Sequence, residues 1–476
     1  MVFSDPIFLY TFLPAVLLIF WAGAWKARNV FLCIAGSVFY MWGGGEFVIL
    51  LLASIGLNHG AAVYIDRERS TNPRRCRWVV RAVVVLDLLA LAVWKYGGFV
   101  VEQTTALLRQ VGIEAGATLS LALPIAISFF TFQSISYVLD VSRGTTQPAD
   151  RLVDYAAYML LFPQLIAGPI VRYEEVHRDL VMLPRRRLDD FAMGAPRFFW
   201  GLAKKVLIAD QMAAIANHVY ALPDNRITTA TAWIGVFAYA LQIYFDFSGY
   251  SDMAIGLACM FGFGFPENFD RPYSAHSVTD FWRRWHITLS SWFRDYVYVP
   301  LGGNRDGPWR TYRNLAIVFA LTGIWHGANW TFIVWGAFHG ACLIIERLTG
   351  TGTLDARRLA LPRRLLTFML VCIGWAMFRA GDVAQGWSMI FAMITPQGMG
   401  LPVTLEELLS NQRLAYFALG ACVLILPRAP SFGSRLSVPG GTARARVRTL
   451  VIATVAPVAC LYTLSSTFSP FLYFQF

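Results

Sequence analysis

Apolar residues recur along this chain in blocks near 7–25, 30–42, 46–65, 82–101, 117–140, 206–222, 231–262, 314–346, 365–380, 412–427 and 447–466. Each is about long enough to span or half-span a hydrocarbon core of ~30 Å. The block 314–346 is too long for one helix and contains Gly323, Gly327 and Gly336, so a broken or hairpin pair of helices is expected there. The run Val153 to Val171 carries Pro163, Gly168 and Pro169 and leads into the basic stretch Arg172 to Arg187, which predicts a re-entrant segment rather than a clean span. Between residues 277 and 296 the pattern changes. Ser277-Val-Thr-Asp280 resembles a capping box, and Trp285, Leu289, Trp292 and Tyr296 recur at i, i+4, i+7 and i+11, predicting an amphipathic helix along the inner membrane surface. No internal repeat or low-complexity region is visible, so an inverted-repeat transporter gains no support.

Composition turns this pattern into a class. Of 476 residues, 57% are hydrophobic and 14% charged, against about 25% charged in a soluble chain. The mean hydropathy is +0.51. An all-α, polytopic membrane protein follows. The net charge of +11 raises the question of nucleic acid, but the arginines fall in discrete loops between apolar blocks, as the positive-inside rule requires. Those loops hold Arg67, Arg69, Arg74, Arg75, Arg77 and Arg81; Arg185 to Arg187 with Lys204 and Lys205; Arg357, Arg358, Arg363 and Arg364; and Arg428, Arg435, Arg444, Arg446 and Arg448. Placing them, with Lys26 and Arg28, in the cytoplasm puts both termini outside, with about twelve crossings. The first apolar run ends on Lys26 and Arg28 rather than on small residues, so it reads as a retained span and not a cleaved signal. The seven cysteines are scattered with no CxxC spacing, which supports neither a zinc site nor a disulfide framework.

Three groupings carry candidate chemistry. His326 lies inside the apolar run Leu315–Trp335, where an ionisable group is costly. It reads either as a reactive base or as a buried imidazole satisfied by a neighbouring carbonyl. Trp325 and Trp330 supply walls beside it, and Asn329 a polar partner. The second grouping, Phe281-Trp-Arg-Arg-Trp-His286-Ile-Thr-Leu-Ser290, sets His286 and Ser290 one turn apart, with Arg283, Arg284 and Arg294 offering positive charge. A helix on the membrane surface explains that pattern equally without catalysis. The third, Tyr244-Phe-Asp246-Phe-Ser248-Gly-Tyr250-Ser-Asp252, puts two carboxylates in an apolar span, where they either brace the bundle or act directly. Aromatic neighbours predict deeper placement for Asp246 than for Asp252. A weaker feature, Phe162-Pro-Gln-Leu-Ile-Ala-Gly-Pro-Ile-Val-Arg172, reads first as a loop fixed by its prolines.

These segments, taken in order, resemble the membrane-bound O-acyltransferase family, and within it the bacterial alginate O-acetylase-like branch. The resemblance runs nearly end to end. It includes Phe162 to Arg172, Trp200-Gly-Leu-Ala-Lys-Lys-Val206, Tyr244 to Asp252, Arg271-Pro-Tyr, Asp280 to Ser290, Arg294-Asp-Tyr-Val-Tyr-Val-Pro-Leu-Gly-Gly-Asn-Arg305, Leu321-Thr-Gly-Ile-Trp-His-Gly-Ala328 and Ser469 to Phe476. It implies a single acyltransferase domain over 1–476, with a ring of tilted helices and re-entrant segments around a central tunnel. It also implies that His326 is the catalytic histidine and His286 the second active-site position.

The expected chemistry is acyl transfer. An imidazole titrating near neutrality, His326, takes a proton from an attacking hydroxyl and returns it to the leaving thiol. His286, with Asn329 or backbone donors, polarises the thioester carbonyl. Trp325, Asp246 and Ser290 support the site, and Arg283, Arg284 and Arg305 attract the donor, acetyl-CoA or an acetylated acyl carrier protein. No tightly bound cofactor and no metal are expected. The implied partners are membrane lipids, the cytoplasmic acyl donor and a periplasmic acetyltransferase partner that handles the polysaccharide, with no nucleic acid. The expected location is the bacterial inner membrane. The leading function is O-acetylation of a secreted polysaccharide, alginate or a related exopolysaccharide such as cellulose. Against it stand acylation of a lipid or lipid-linked hydroxyl, a proton-coupled transporter relaying through Asp246, Asp252 and His326, and a scaffold that recruits a synthase.

Overall fold

The computed structural model describes residues 2–23, 27–113, 119, 121–182, 187–353, 360–424, 431–465 and 471. The basic positions Lys26, Arg185, Arg186, Arg357, Arg358 and Arg428, and the closing Ser469–Phe476 motif apart from Phe471, lie outside them. Helices make up the regular structure, with no strand among the described residues. Among the described residues, four helical stretches are long and apolar enough to cross a membrane: Arg28–Glu68, Trp330–Leu348, Ala360–Arg379 and Thr442–Ser465. The chain divides into two compact units, Met1–Ala192 with Leu257–Pro266, and Met193–Gly256 with Glu267–Phe476.

The first unit holds α1 (Leu13–Ala22), α2 (Arg28–Gly44), α3 (Val48–Glu68), α4 (Pro73–Gln110), α5 (Ile127–Arg143), α6 (Leu152–Met159), α7 (Phe162–Leu165) and α8 (Tyr173–Val181). The run expected to be re-entrant is indeed broken. Pro163 lies in the first turn of α7 after a two-residue gap, and beyond the helix end Gly168, at φ +101°, turns the chain in a conformation that favours glycine.

In the second unit, α9 (Arg187–Ala203, entering from the first) continues through a π-type turn into α10 (Asp210–Tyr220), followed by the long α11 (Thr229–Met260). Then come α12 (Val278–Trp282), α13 (Ile287–Phe293), α14 (Pro308–His326), α15 (Trp330–Leu348), α16 (Ala360–Arg379) and α17 (Val383–Ile394). Its core is aromatic: Tyr273, Phe281, Trp285, Trp335 and Trp375 are all nearly inaccessible.

The block 314–346 is the expected helical hairpin. Its arms meet backbone to backbone, because a Cβ on Gly323 would lie 2.5 Å from the Phe332 carbonyl oxygen and one on Gly336 2.5 Å from that of Phe319. Asn329 caps the second arm, its side chain accepting from the Thr331 amide at 3.0 Å.

The continuous amphipathic helix expected over 277–296 is not formed. Ser277 does cap α12, its hydroxyl accepting from the Asp280 amide at 3.0 Å, but α12 stops at Trp282 and a new helix starts at Ile287. Two contacts from the preceding loop override the periodicity. The Arg284 carbonyl accepts from the Asp270 amide at 3.0 Å, and Asn268 takes the first amides of α13: the Ile287 N–H on its carbonyl at 3.0 Å and the Thr288 N–H on its side-chain oxygen at 3.3 Å. Between them His286 sits at φ +44°.

Gly336→Val is expected to force the hairpin arms apart and lower the thermal midpoint of the detergent-purified protein by several degrees, since overpacking costs about 1–3 kcal/mol. Gly60→Ala in α3, where an added Cβ meets nothing within 4 Å, is expected to leave it unchanged or raise it. Equal midpoints for the two variants would contradict the close approach.

Candidate active site

His326 is the last residue of α14, at the turn into the second arm of the hairpin. It is 7% exposed, with Trp335 and Phe378 presenting edges to its ring at 4.9 and 5.2 Å between centroids. On its other side is Trp325, at 4.9 Å. The same indole lies 6.3 Å from the ring of His286, so the two histidines flank one tryptophan.

His286 is buried, its ring edge-on to Phe247 at 4.7 Å and its Nδ1 3.0 Å from the Asn268 side-chain oxygen. Burial pushes its pKa down to about 3, so the ring rests neutral. Aromatic rings pack around both imidazoles, and an imidazole shielded in this way can accept and return a proton, the step that acyl transfer from a thioester requires.

The remaining predicted residues divide. Asn329 has its amide committed to architecture, accepting from Thr331 and donating to the Gly381 carbonyl at 2.9 Å. The Ser290 hydroxyl donates to the Trp285 carbonyl at 3.5 Å. Arg284 is buried and paired with Asp280, whereas Arg283 and Arg305 are exposed.

Asp246 and Asp252 belong to a buried ion-pair ladder joining the α9–α10 helix to α11. Lys205 is 2.8 Å from Asp246 and 2.7 Å from Asp210. Asp252 lies 3.0 Å from Arg197 and 2.9 Å from Lys204, and Arg197 continues to Glu267 at 2.6 Å. The ladder closes because the helices touch through glycines: a Cβ on Gly201 would sit 2.5 Å from the Gly249 oxygen, and one on Gly256 2.6 Å from the Phe198 nitrogen. Depth does not separate the two carboxylates as their aromatic neighbours suggested, since they are 3% and 7% exposed.

Sequence reading missed Arg197, Asn268 and His339. His339 is fully buried in α15, accepting from the Trp282 indole at 3.4 Å and packing on Trp335 at 5.1 Å. Its signal was present, a second histidine in the same apolar block as His326. Asn268 lies in a short loop with no periodic pattern to mark it.

Comparison with known proteins assigns the chain to a family. Residues 151–378 match the model of the membrane-bound O-acyltransferase family, and the chain belongs to that family. It is therefore a multi-pass membrane protein and an O-acyltransferase. Within the family it falls in the alginate O-acetylase-like branch. It is 41% identical to the probable alginate O-acetylase AlgI of Azotobacter vinelandii over the whole of both chains. It is 45% identical to that of Pseudomonas aeruginosa over 83% of this chain and 75% of the relative. A peptidoglycan O-acetyltransferase of Helicobacter pylori is 34% identical over 84% of this chain and 81% of its own.

Asp252→Asn is expected to destabilise the protein more than Asp246→Asn. It strips a carboxylate from two cations at once, whereas Lys205 keeps Asp210. Breaking such a buried pair costs roughly 3–5 kcal/mol. Thermal unfolding of the two purified variants checks the order, and a lower midpoint for Asp246→Asn contradicts it.

Proposed function

We propose that the protein moves acetyl groups from a cytoplasmic thioester, acetyl-CoA or an acetylated carrier protein, across the bacterial inner membrane for O-acetylation of a secreted polysaccharide, alginate or a related exopolysaccharide. The observation that carries this reading is the pair of buried imidazoles that both lie close to Trp325, His326 at 4.9 Å and His286 at 6.3 Å. The names of the relatives, alginate O-acetylase and peptidoglycan O-acetyltransferase, support a polymer as the eventual acceptor.

In the proposed step the acceptor oxygen bonds to the acetyl carbon, the C–S bond breaks with its electron pair on sulfur, and His326 takes the hydroxyl proton and returns it to the thiolate. The exposed Arg283 and Arg305 draw the anionic donor in. A periplasmic acetyltransferase completes delivery to the polymer. The transporter reading loses its relay, because both carboxylates are occupied by lysine and arginine.

His326→Ala is expected to lower polymer O-acetylation by roughly 10²–10⁴-fold at near-normal abundance, since it removes a general base. Polymer O-acetyl content at matched expression is the readout, and full acetylation would refute the reading. Cysteines placed beside Arg75 and Arg446 are expected to resist an impermeant thiol reagent in intact cells. Ready labelling would put the donor on the other side.

A further inference from the structure

Asn268 is 1% exposed, and every polar atom of its side chain is used. Its Oδ1 accepts from the Thr288 amide at 3.3 Å and the Thr288 hydroxyl at 2.9 Å, while its Nδ2 donates to Ser251 Oγ at 3.2 Å. A backbone N–H can only donate, so Thr288 fixes which end of the amide is oxygen. That oxygen lies 3.0 Å from His286 Nδ1. It has no hydrogen to give, so Nδ1 carries the proton, and in a neutral imidazole the lone pair then belongs to Nε2.

We infer that Asn268 is a positioning residue of the acyl transfer, holding His286 as an Nδ1-protonated ring whose Nε2 accepts a hydrogen bond from substrate: an O–H of the acceptor or an amide N–H of the donor's pantetheine arm. The inference rests on the two-histidine reading above. It reverses the role expected for His286 from its sequence, because a lone pair cannot stabilise an oxyanion. The ring has little freedom to escape this setting, with Phe247 against its edge and its backbone in the left-handed region.

Charged groups on the surrounding elements are mostly paired. On α11, Asp246 is held by Lys205, and Asp252 by Arg197 and Lys204. Glu267 and Asp270 flank Asn268, with Glu267 on Arg197, and Asp280 pairs with Arg284. His326 stands beyond Trp325.

The test is kcat/KM at one fixed pH for purified full-length protein with acetyl-CoA or acetylated carrier protein, whichever the wild type turns over. Asn268→Leu removes the acceptor that fixes the tautomer and loses roughly tenfold or more. Asn268→Asp keeps an acceptor on Nδ1 and recovers most of that loss. In a His286→Gln background Asn268→Leu costs nothing further, because no ring remains to be positioned. A raised KM in His286→Gln for the donor identifies the amide, and for the acceptor the hydroxyl. A loss in Asn268→Leu that persists undiminished in the His286→Gln background overturns the inference.

Should Asn268→Asp not accumulate, Thr288→Val serves, because it removes one hydrogen bond holding the amide. A fall in kcat of about two- to tenfold supports the inference, and an unchanged kcat overturns it. If His326→Ala is inactive while Asn268→Leu costs as much without the ring at position 286 as with it, only the positioning role falls. If His326→Ala is fully active, the acyl-transfer reading falls with it.

Discussion

The contact on which the second unit is built is the ion-pair ladder between the α9–α10 helix and α11. Three cations, Arg197, Lys204 and Lys205, meet Asp246, Asp252 and Asp210 where bulk water is largely kept away from them. Charges buried this way contribute little net stability compared with apolar residues of equal size. They do specify register, because a slip of either helix by one residue would strand several charges together. Glycines at the crossing let the helices come close enough for side chains of ordinary length to reach.

From that fixed helix the site is assembled outward. The chain leaving α11 reaches Asn268, which takes hold of the start of α13 and of the His286 ring together. The hairpin of α14 and α15 delivers Trp325 and His326 at its tip, and α16 contributes Phe378 as a wall. Nearly every ring partner of the two histidines is aromatic, which leaves the imidazoles as the groups able to exchange a proton there.

How much of this was legible in the sequence depends on the range of the interaction. The hairpin at 314–346 was readable because its length and glycines are local facts, and so was the Ser277 cap. His326 stood out because a histidine in an apolar run has few innocent explanations. The helix over 277–296 was misread because its apolar spacing is genuine, and what breaks it is the preceding loop, Asp270 on the Arg284 carbonyl and Asn268 at the start of α13. The carboxylates were recognised as needing partners, but the partners sit forty or more residues away and no periodicity points to them. Arg284 illustrates the same limit: a charge in a basic cluster looks like a binding surface until its buried partner is known.

The backbone at His286 and Arg271 departs from what side-chain-bearing residues prefer, both adopting the left-handed conformation at φ +44° and +45°. Such a conformation costs of order 1–3 kcal/mol, and glycine would relieve it. The enzyme therefore keeps a ring at position 286 against the grain of its own folding. In evolutionary terms the position has a downhill exit: replacement by glycine would ease the chain while discarding the imidazole, so a histidine there carries a standing cost in stability.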